Sequence, residues 1–173
     1  MTGVLLARAR GVVERHPFPR APKPSETTLF VAGHGTAYSR GSREAIERQV
    51  ALLKDSGGYA GVHALFLEEA PGIADCWTMA ATKNLVLVPY FISDGLHTCE
   101  DIPMALGEPE AMVRGRLAAG QPTWRNPTER MGKRLWLTAA VGTEALMVDV
   151  ILQRVTEAAS RAGYRRSSAS TGA

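Results

Sequence analysis

The run Asn84 to Ile92 (NLVLVPYFI) is apolar at consecutive positions, so a strand built from it has two faces that both need covering. Only the centre of a sheet with a layer packed on each side offers that. Its neighbours in sequence fit such a sheet. Thr27 to Ala32 (TTLFVA) is a short β-rich run that stops at Gly33, and Gly61 to Leu67 (GVHALFL) and Leu135 to Val141 (LWLTAAV) are two more. Between them the period changes to that of a helix. Ser42 caps a predicted helix to about Asp55 with Ile46, Val50 and Leu53 on one face and Gly57 as its stop. Pro71 opens another to about Thr82, with Ile73 and Trp77 on its apolar face. After the third strand come a helical turn at Asp101 to Leu106 and a helix from about Glu110 to Ala119. A loop with Pro122 and Pro127 precedes the last strand. Gly142 and Thr143 lead into a long helix striped by Val148, Ile151, Leu152, Val155 and Ala159. Strands alternating with helices give right-handed βαβ crossovers and an α/β domain of three layers, α/β/α, around a mostly parallel four-stranded sheet.

The ends read differently. Residues 2–15 suit a short helix, and Arg8 and Arg10 interrupt Val4 to Ala7 before the apolar core of a signal peptide can form. Pro17, Pro19, Pro22 and Pro24 then make an extended spacer without a core. We therefore expect an amino-terminal helix and spacer over 1–26, a compact domain over 27–160 and a flexible tail over 161–173.

Composition removes several classes of function. With 45% hydrophobic and 21% charged residues the chain is not disordered. The longest apolar run, Leu85 to Ile92, falls well short of the roughly 20 residues that cross a bilayer, so no membrane is expected. A formal net charge of +3 and the lack of any nucleic-acid-binding signature argue against nucleic acid as a partner. Two cysteines, Cys76 and Cys99, make no disulfide framework and fit a reducing cytoplasm.

In a parallel sheet the loops after the strands' carboxyl ends share one crevice. There the sequence puts Gly33, His34, Gly35 and Thr36; Glu68 and Glu69; Ser93, Asp94, Gly95, Leu96 and His97, then Glu100 and Asp101; and Gly142 and Thr143. Two histidines and a carboxylate from different strands suit a divalent first-row metal or acid–base work. The glycines beside His34 would let a bulky ligand approach. Each histidine taken alone reads more often as a hydrogen-bonded loop residue. It is the pair with a carboxylate on one edge that brings the metal or acid–base reading level with that. The two glutamates read also as favouring a helix amino terminus. His63, inside the second strand, reads as packed, and His16 as exposed. Cys76 reads as core, and Cys99 as a soft ligand or a bystander. Trp124 and Trp136 can stack on a planar ligand, with core packing favoured for Trp136. Arg114, Arg116, Arg125, Arg130, Lys133 and Arg134, with Glu129 as the one acid among them, read either as a solvated face or as a rim for a polycarboxylate ligand.

The ordered motifs resemble a known family. Leu29 to Thr36 (LFVAGHGT) with Arg40, Phe66–Leu67–Glu68 with Pro71, Val88 to His97 (VPYFISDGLH) with Glu100 to Pro103 (EDIP), and Ala140 to Thr143 (AVGT) are similar to the motifs of the CbiX-like sirohydrochlorin chelatases, over about 28–156. The resemblance implies a class II chelatase fold and insertion of Co²⁺, with Fe²⁺ or Ni²⁺ as other metals, into sirohydrochlorin on the route to cobalamin or siroheme. It implies His34 and His97 as metal ligands and, with Glu68, as catalytic residues. Gly33, Gly35, Thr36, Ser93, Asp94, Gly95 and Thr143 would lie against the bound ligand, and no organic cofactor is expected. The spacer looks like a join to a preceding domain, so a homodimer or pairing with another chelatase half is expected. A metal- or tetrapyrrole-binding module without turnover, or one half of a two-domain chelatase, is the alternative. A hydrolase using His34 as base lacks a nucleophile motif such as GxSxG. The segment Gly107 to Lys133 is longer than a minimal chelatase needs.

Overall fold

A computed structural model describes residues 1–36, 40–56 and 58–169. The strands are β1 (Thr27–Gly33), β2 (Gly61–Phe66), β3 (Asn84–Pro89), β4 (Thr128–Arg130) and β5 (Lys133–Leu137). They form one sheet in the order β2-β1-β3-β5-β4. β1, β2, β3 and β5 are parallel, and β3 is central, flanked by β1 and β5 as its two apolar faces require. The sheet has five strands rather than four. β4, only three residues long, pairs antiparallel with β5 and shields the edge of the sheet. Its signal is too short to stand out from the loop before β5.

Side chains alternate across the strands and separate the core into two layers. Leu29, Val31, Val86 and Val88 face α1 (Thr2–Arg15) and α2 (Arg40–Asp55). Phe30, Ala32, Leu85 and Leu87 face α3 (Cys76–Met79), α4 (Ile102–Ala105) and the Trp124 ring. α5 (Glu110–Ala118) follows α4, and α6 (Met147–Ala169) ends the described chain.

Several details differ from the sequence reading. The α3 helix is far shorter than Pro71 to Thr82, because the Phe66 N–H donates to the Pro71 carbonyl and Phe66 bridges Gly72, which holds that stretch extended. Ser42 lies inside α2, which begins at Arg40, while the expected stop at Gly57 lies outside the described residues. A boundary near Thr27 does not separate α1 from the core: Val4, Leu5, Ala9, Val12 and Val13 are all buried against the sheet. The Trp136 indole N–H also donates to the His16 carbonyl at 2.8 Å, which pins the proline-rich connector. Residues 161–169, expected in the tail, continue α6. Val148, Ile151, Leu152 and Val155, expected as the buried stripe of that helix, are 54–60% exposed.

Candidate functional site

The parallel register puts the ends of four strands side by side. Gly33 pairs with Phe66, Ala32 with Pro89, and Leu87 with Leu137. His34 therefore leaves the sheet beside the chain that leaves β2. The Leu67 N–H donates to the Gly33 carbonyl, and the Glu68 N–H donates to the His34 carbonyl at 3.1 Å. These bonds bring the two side chains together across 34 positions of sequence, with His34 Nδ1 3.5 Å from Glu68 Oε1. That spacing is an ion-pair contact; it is too loosely aimed for a hydrogen bond, and His34 Nδ1 is buried without one. Glu69, adjacent in sequence, has a different partner. Its Oε2 is 2.7 Å from an Arg43 guanidinium nitrogen, and that guanidinium lies over the Phe66 ring.

The loop after β3 carries the second histidine. His97 opens a single wide π-turn, His97–Asp101, closed by the Ile102 N–H donating to the His97 carbonyl. Such turns are frequent at functional sites. The turn puts Asp101 on the face of His97, with Nδ1 and Oδ2 2.6 Å apart. With Nδ1 occupied by this contact, Nε2 is the ring nitrogen left without a protein partner among the described residues. The His34 and His97 rings meet edge to face, 4.9 Å between centroids, and Phe91 lies 5.8 Å from His97. Both imidazoles are partly open to solvent, at 37% and 48% of their side chains. Among the described residues no group of three or more His, Cys, Asp or Glu side chains is arranged to hold a metal.

The remaining candidates divide. Space beside the two glycines next to His34 is filled by the protein itself. A Cβ on Gly33 would strike Ile46, and one on Gly35, at φ +64°, would strike Phe66, so the missing side chains make room for these two residues. Of the glycines on this edge, Gly95 has open space beside it, and Ser93, two residues before it, is exposed. Asp94 is tied within the protein: its Oδ1 accepts the Ala140 N–H at 2.7 Å and its Oδ2 lies 3.1 Å from the Thr143 hydroxyl. Thr36 is half-buried and has a contact of its own. Exposed Ile92 and Leu96, 77% and 66%, give the His97 loop an apolar lip that sequence reasoning did not single out.

Other residues lie away from the histidines or are used structurally. Lys133 donates to the Trp77 and Ala80 carbonyls, and Arg134 pairs with Glu129 at the amino end of β5. Arg130 donates to the Leu106 and Gly107 carbonyls. With Arg114 bound to Glu100 and Glu110, and Arg116 3.7 Å from Glu108, the basic segment is not a continuous rim on the site edge. Cys76 is core, its thiol pushed up to about 12 by burial. Cys99 Sγ sits 3.7 Å from the Thr98 hydroxyl and lines a cavity of about 300 Å³ with Trp124 and Leu137. A second cavity, of about 200 Å³, lies under α1 at the amino end of β1. His63 stacks on Phe30, its pKa lowered first by burial and then by Lys54. Trp136 is fully buried.

Comparison with known proteins agrees with this architecture. The family model described as CbiX matches residues 28–158. A probable sirohydrochlorin cobaltochelatase of Halobacterium salinarum is 34% identical over 163 residues, which is 94% of this chain and 51% of that protein. The sirohydrochlorin cobaltochelatase of Methanopyrus kandleri is 33% identical over 87 residues, 47% of this chain and 60% of that protein. The chain thus spans about half the length of the curated relatives it matches. Among solved structures, CbiX, described as the terminal enzyme for siroheme biosynthesis in denitrifying bacteria, superposes with a TM-score of 0.63 at 24% identity, over 91% of this chain and 57% of that one. The cobalt complex of SirB from Bacillus subtilis gives 0.52 at 15% identity, over 76% and 50%. At these identities the structural likeness concerns the fold alone.

Proposed function

The chain belongs to the CbiX family, and on that premise we propose that it is a metal chelatase that inserts a divalent metal into sirohydrochlorin. Co²⁺ is the first metal in this proposal, with Fe²⁺ and Ni²⁺ as the others, and the metal is a substrate. One observation carries the reading: two imidazoles from different loops meet at 4.9 Å on an open edge, each with its own carboxylate.

The division of labour follows from those contacts. Asp101 holds His97 Nδ1, so His97 Nε2 is the nitrogen available to the metal. His34 supplies the second imidazole. Two protein ligands, with no third among the described residues, make a weak site, which suits an ion that must leave for the macrocycle. As the metal enters, two pyrrole N–H protons leave the ring. Glu68, half-exposed and beside His34, is the carboxylate positioned to accept one and pass it to water. Open space at Gly95 and the apolar Ile92 and Leu96 suit the face of a flat macrocycle. The exposed stripe of α6 supports a homodimer or pairing with another chelatase half. No helix among the described residues is long and apolar enough to cross a membrane, and a cytoplasmic location is part of the proposal.

The test is anaerobic absorbance of sirohydrochlorin with excess Co²⁺, corrected for spontaneous insertion, then repeated with Fe²⁺ and Ni²⁺. Many turnovers per chain are expected, and His34→Ala and His97→Ala should each remove at least about 100-fold of the rate while melting normally. A spectral change that saturates near one ligand per site without turnover would make the chain a binding module instead. Full activity in both alanine variants would refute the histidine assignment.

A further inference from the structure

Helix α1 lies outside the stretch matched by the family model, yet one of its side chains reaches the edge of the sheet that carries the histidines. Arg8 is only 11% exposed. Its terminal nitrogen donates to the Thr143 hydroxyl at 2.6 Å, and its Nε lies 3.1 Å from Glu144 Oε2, off the hydrogen-bond direction. The Thr143 hydroxyl has one proton. With Arg8 donating to the oxygen, that proton is directed to the other side, where Asp94 Oδ2 is 3.1 Å away and the Ala140 carbonyl 3.0 Å. Asp94 also accepts the Ala140 N–H, and it stands three residues before His97.

The loop after β3 and the loop after β5 are clamped elsewhere too. The Gly142 N–H donates to the Phe91 carbonyl at 3.0 Å, and a Cβ at Gly142 would strike the Ile92 carbonyl. Arg8 closes this clamp from outside. Stability alone is a poor reason for it. Desolvating most of a guanidinium works against the gain from its ion pair with Glu144, and α1 already docks through five apolar residues. We propose that Arg8 is a positioning residue: through Thr143 and Asp94 the amino-terminal helix fixes the loop that presents His97. The inference rests on the chelatase reading only where metal binding is its readout.

The experiment uses the full chain and the variants Thr143→Val, Thr143→Ser and Arg8→Met. The first readout is amide exchange over residues 94–98, which needs no catalytic activity. Thr143→Val and Arg8→Met should each speed it about tenfold, with exchange in the β1 and β3 core unchanged. Thr143→Ser keeps the hydroxyl and should behave as the unmodified protein. The second readout is titration with Co²⁺ alone, whose affinity should fall about tenfold in the same two variants and no further in their combination. Unchanged exchange at 94–98, or acceleration spread evenly over the whole chain, would overturn the proposal. If the unmodified protein binds no Co²⁺, the metal reading fails, while the exchange pattern still decides the role of Arg8.

Discussion

The first and last helices use their apolar residues in opposite ways. In α1 the apolar pattern is short and broken by Arg8 and Arg10, yet Leu5 and Ala9 are wholly buried and Val4 and Val12 nearly so. In α6 the stripe is regular, at Val148, Ile151, Leu152 and Val155, and it faces solvent; among the described side chains of this helix only Met147 is buried, with Val150 packed beside it. A helical period establishes that a helix has an apolar face. It carries no information about what covers that face, which depends on where neighbouring loops aim the helix. α1 returns over the sheet because its connector is pinned at Trp136 and by the Arg20–Glu26 ion pair. α6 follows a 3-10 turn, Val141–Thr143, held against the His97 loop, and packs on the core through Met147 and Val150 at its first turn.

This contrast can be broken or sharpened in three ways. The largest effect is expected from Leu5→Ala, which empties a fully buried site and should cost about 2–5 kcal/mol by chemical denaturation. A loss under about 0.5 kcal/mol would mean that α1 is not part of the cooperative core. A smaller effect concerns the connector. The Arg20 side chain, then the Lys23 N–H, hold the Glu26 carboxyl down at about 2. Because the folded value lies below the ordinary one of 4.5, the contribution is whole above that value and is lost as pH falls through about 2. Melting temperature should decline over that window, and Glu26→Gln should flatten the decline; identical profiles would show the pair to be idle. The smallest effect on folding is expected in α6. Ile151→Ser with Val155→Ser should change the stability of the isolated chain by no more than about 0.5 kcal/mol, while sedimentation shows any self-association lost. Strong destabilisation of a monomer would show that the stripe packs on its own domain.

Much of the candidate site is legible in the order of strands and loops. His34, Glu68 and His97 lie on one edge because each follows a parallel strand; the strand–helix alternation makes the sheet parallel, and the double apolar character of β3 makes that strand central. Less legible is how acids and bases choose partners. Glu68 and Glu69 are equivalent in sequence, and only the Glu68 N–H bond to the His34 carbonyl decides which one meets the imidazole. Asp101 is visible on the edge, but its hold on His97 depends on a π-turn that an ordinary helical period does not announce. The basic run misleads for a related reason. Sequence proximity groups Arg114 with Arg134, whereas the chain passes from α5, near the site edge, to the amino end of β5 on the opposite side.

The sequence by itself determined the α/β class, the central strand, the two histidines and the glycine-punctuated loops, because each is written in a local pattern of a few residues. The tertiary structure alone decided that α1 belongs to the core and that α6 is uncovered. It also decided that Gly33 and Gly35 accommodate Ile46 and Phe66, and that Asp94 answers to Thr143 and Arg8. Those outcomes are contacts between segments up to 135 positions apart, and their energies depend on how the layers finally pack.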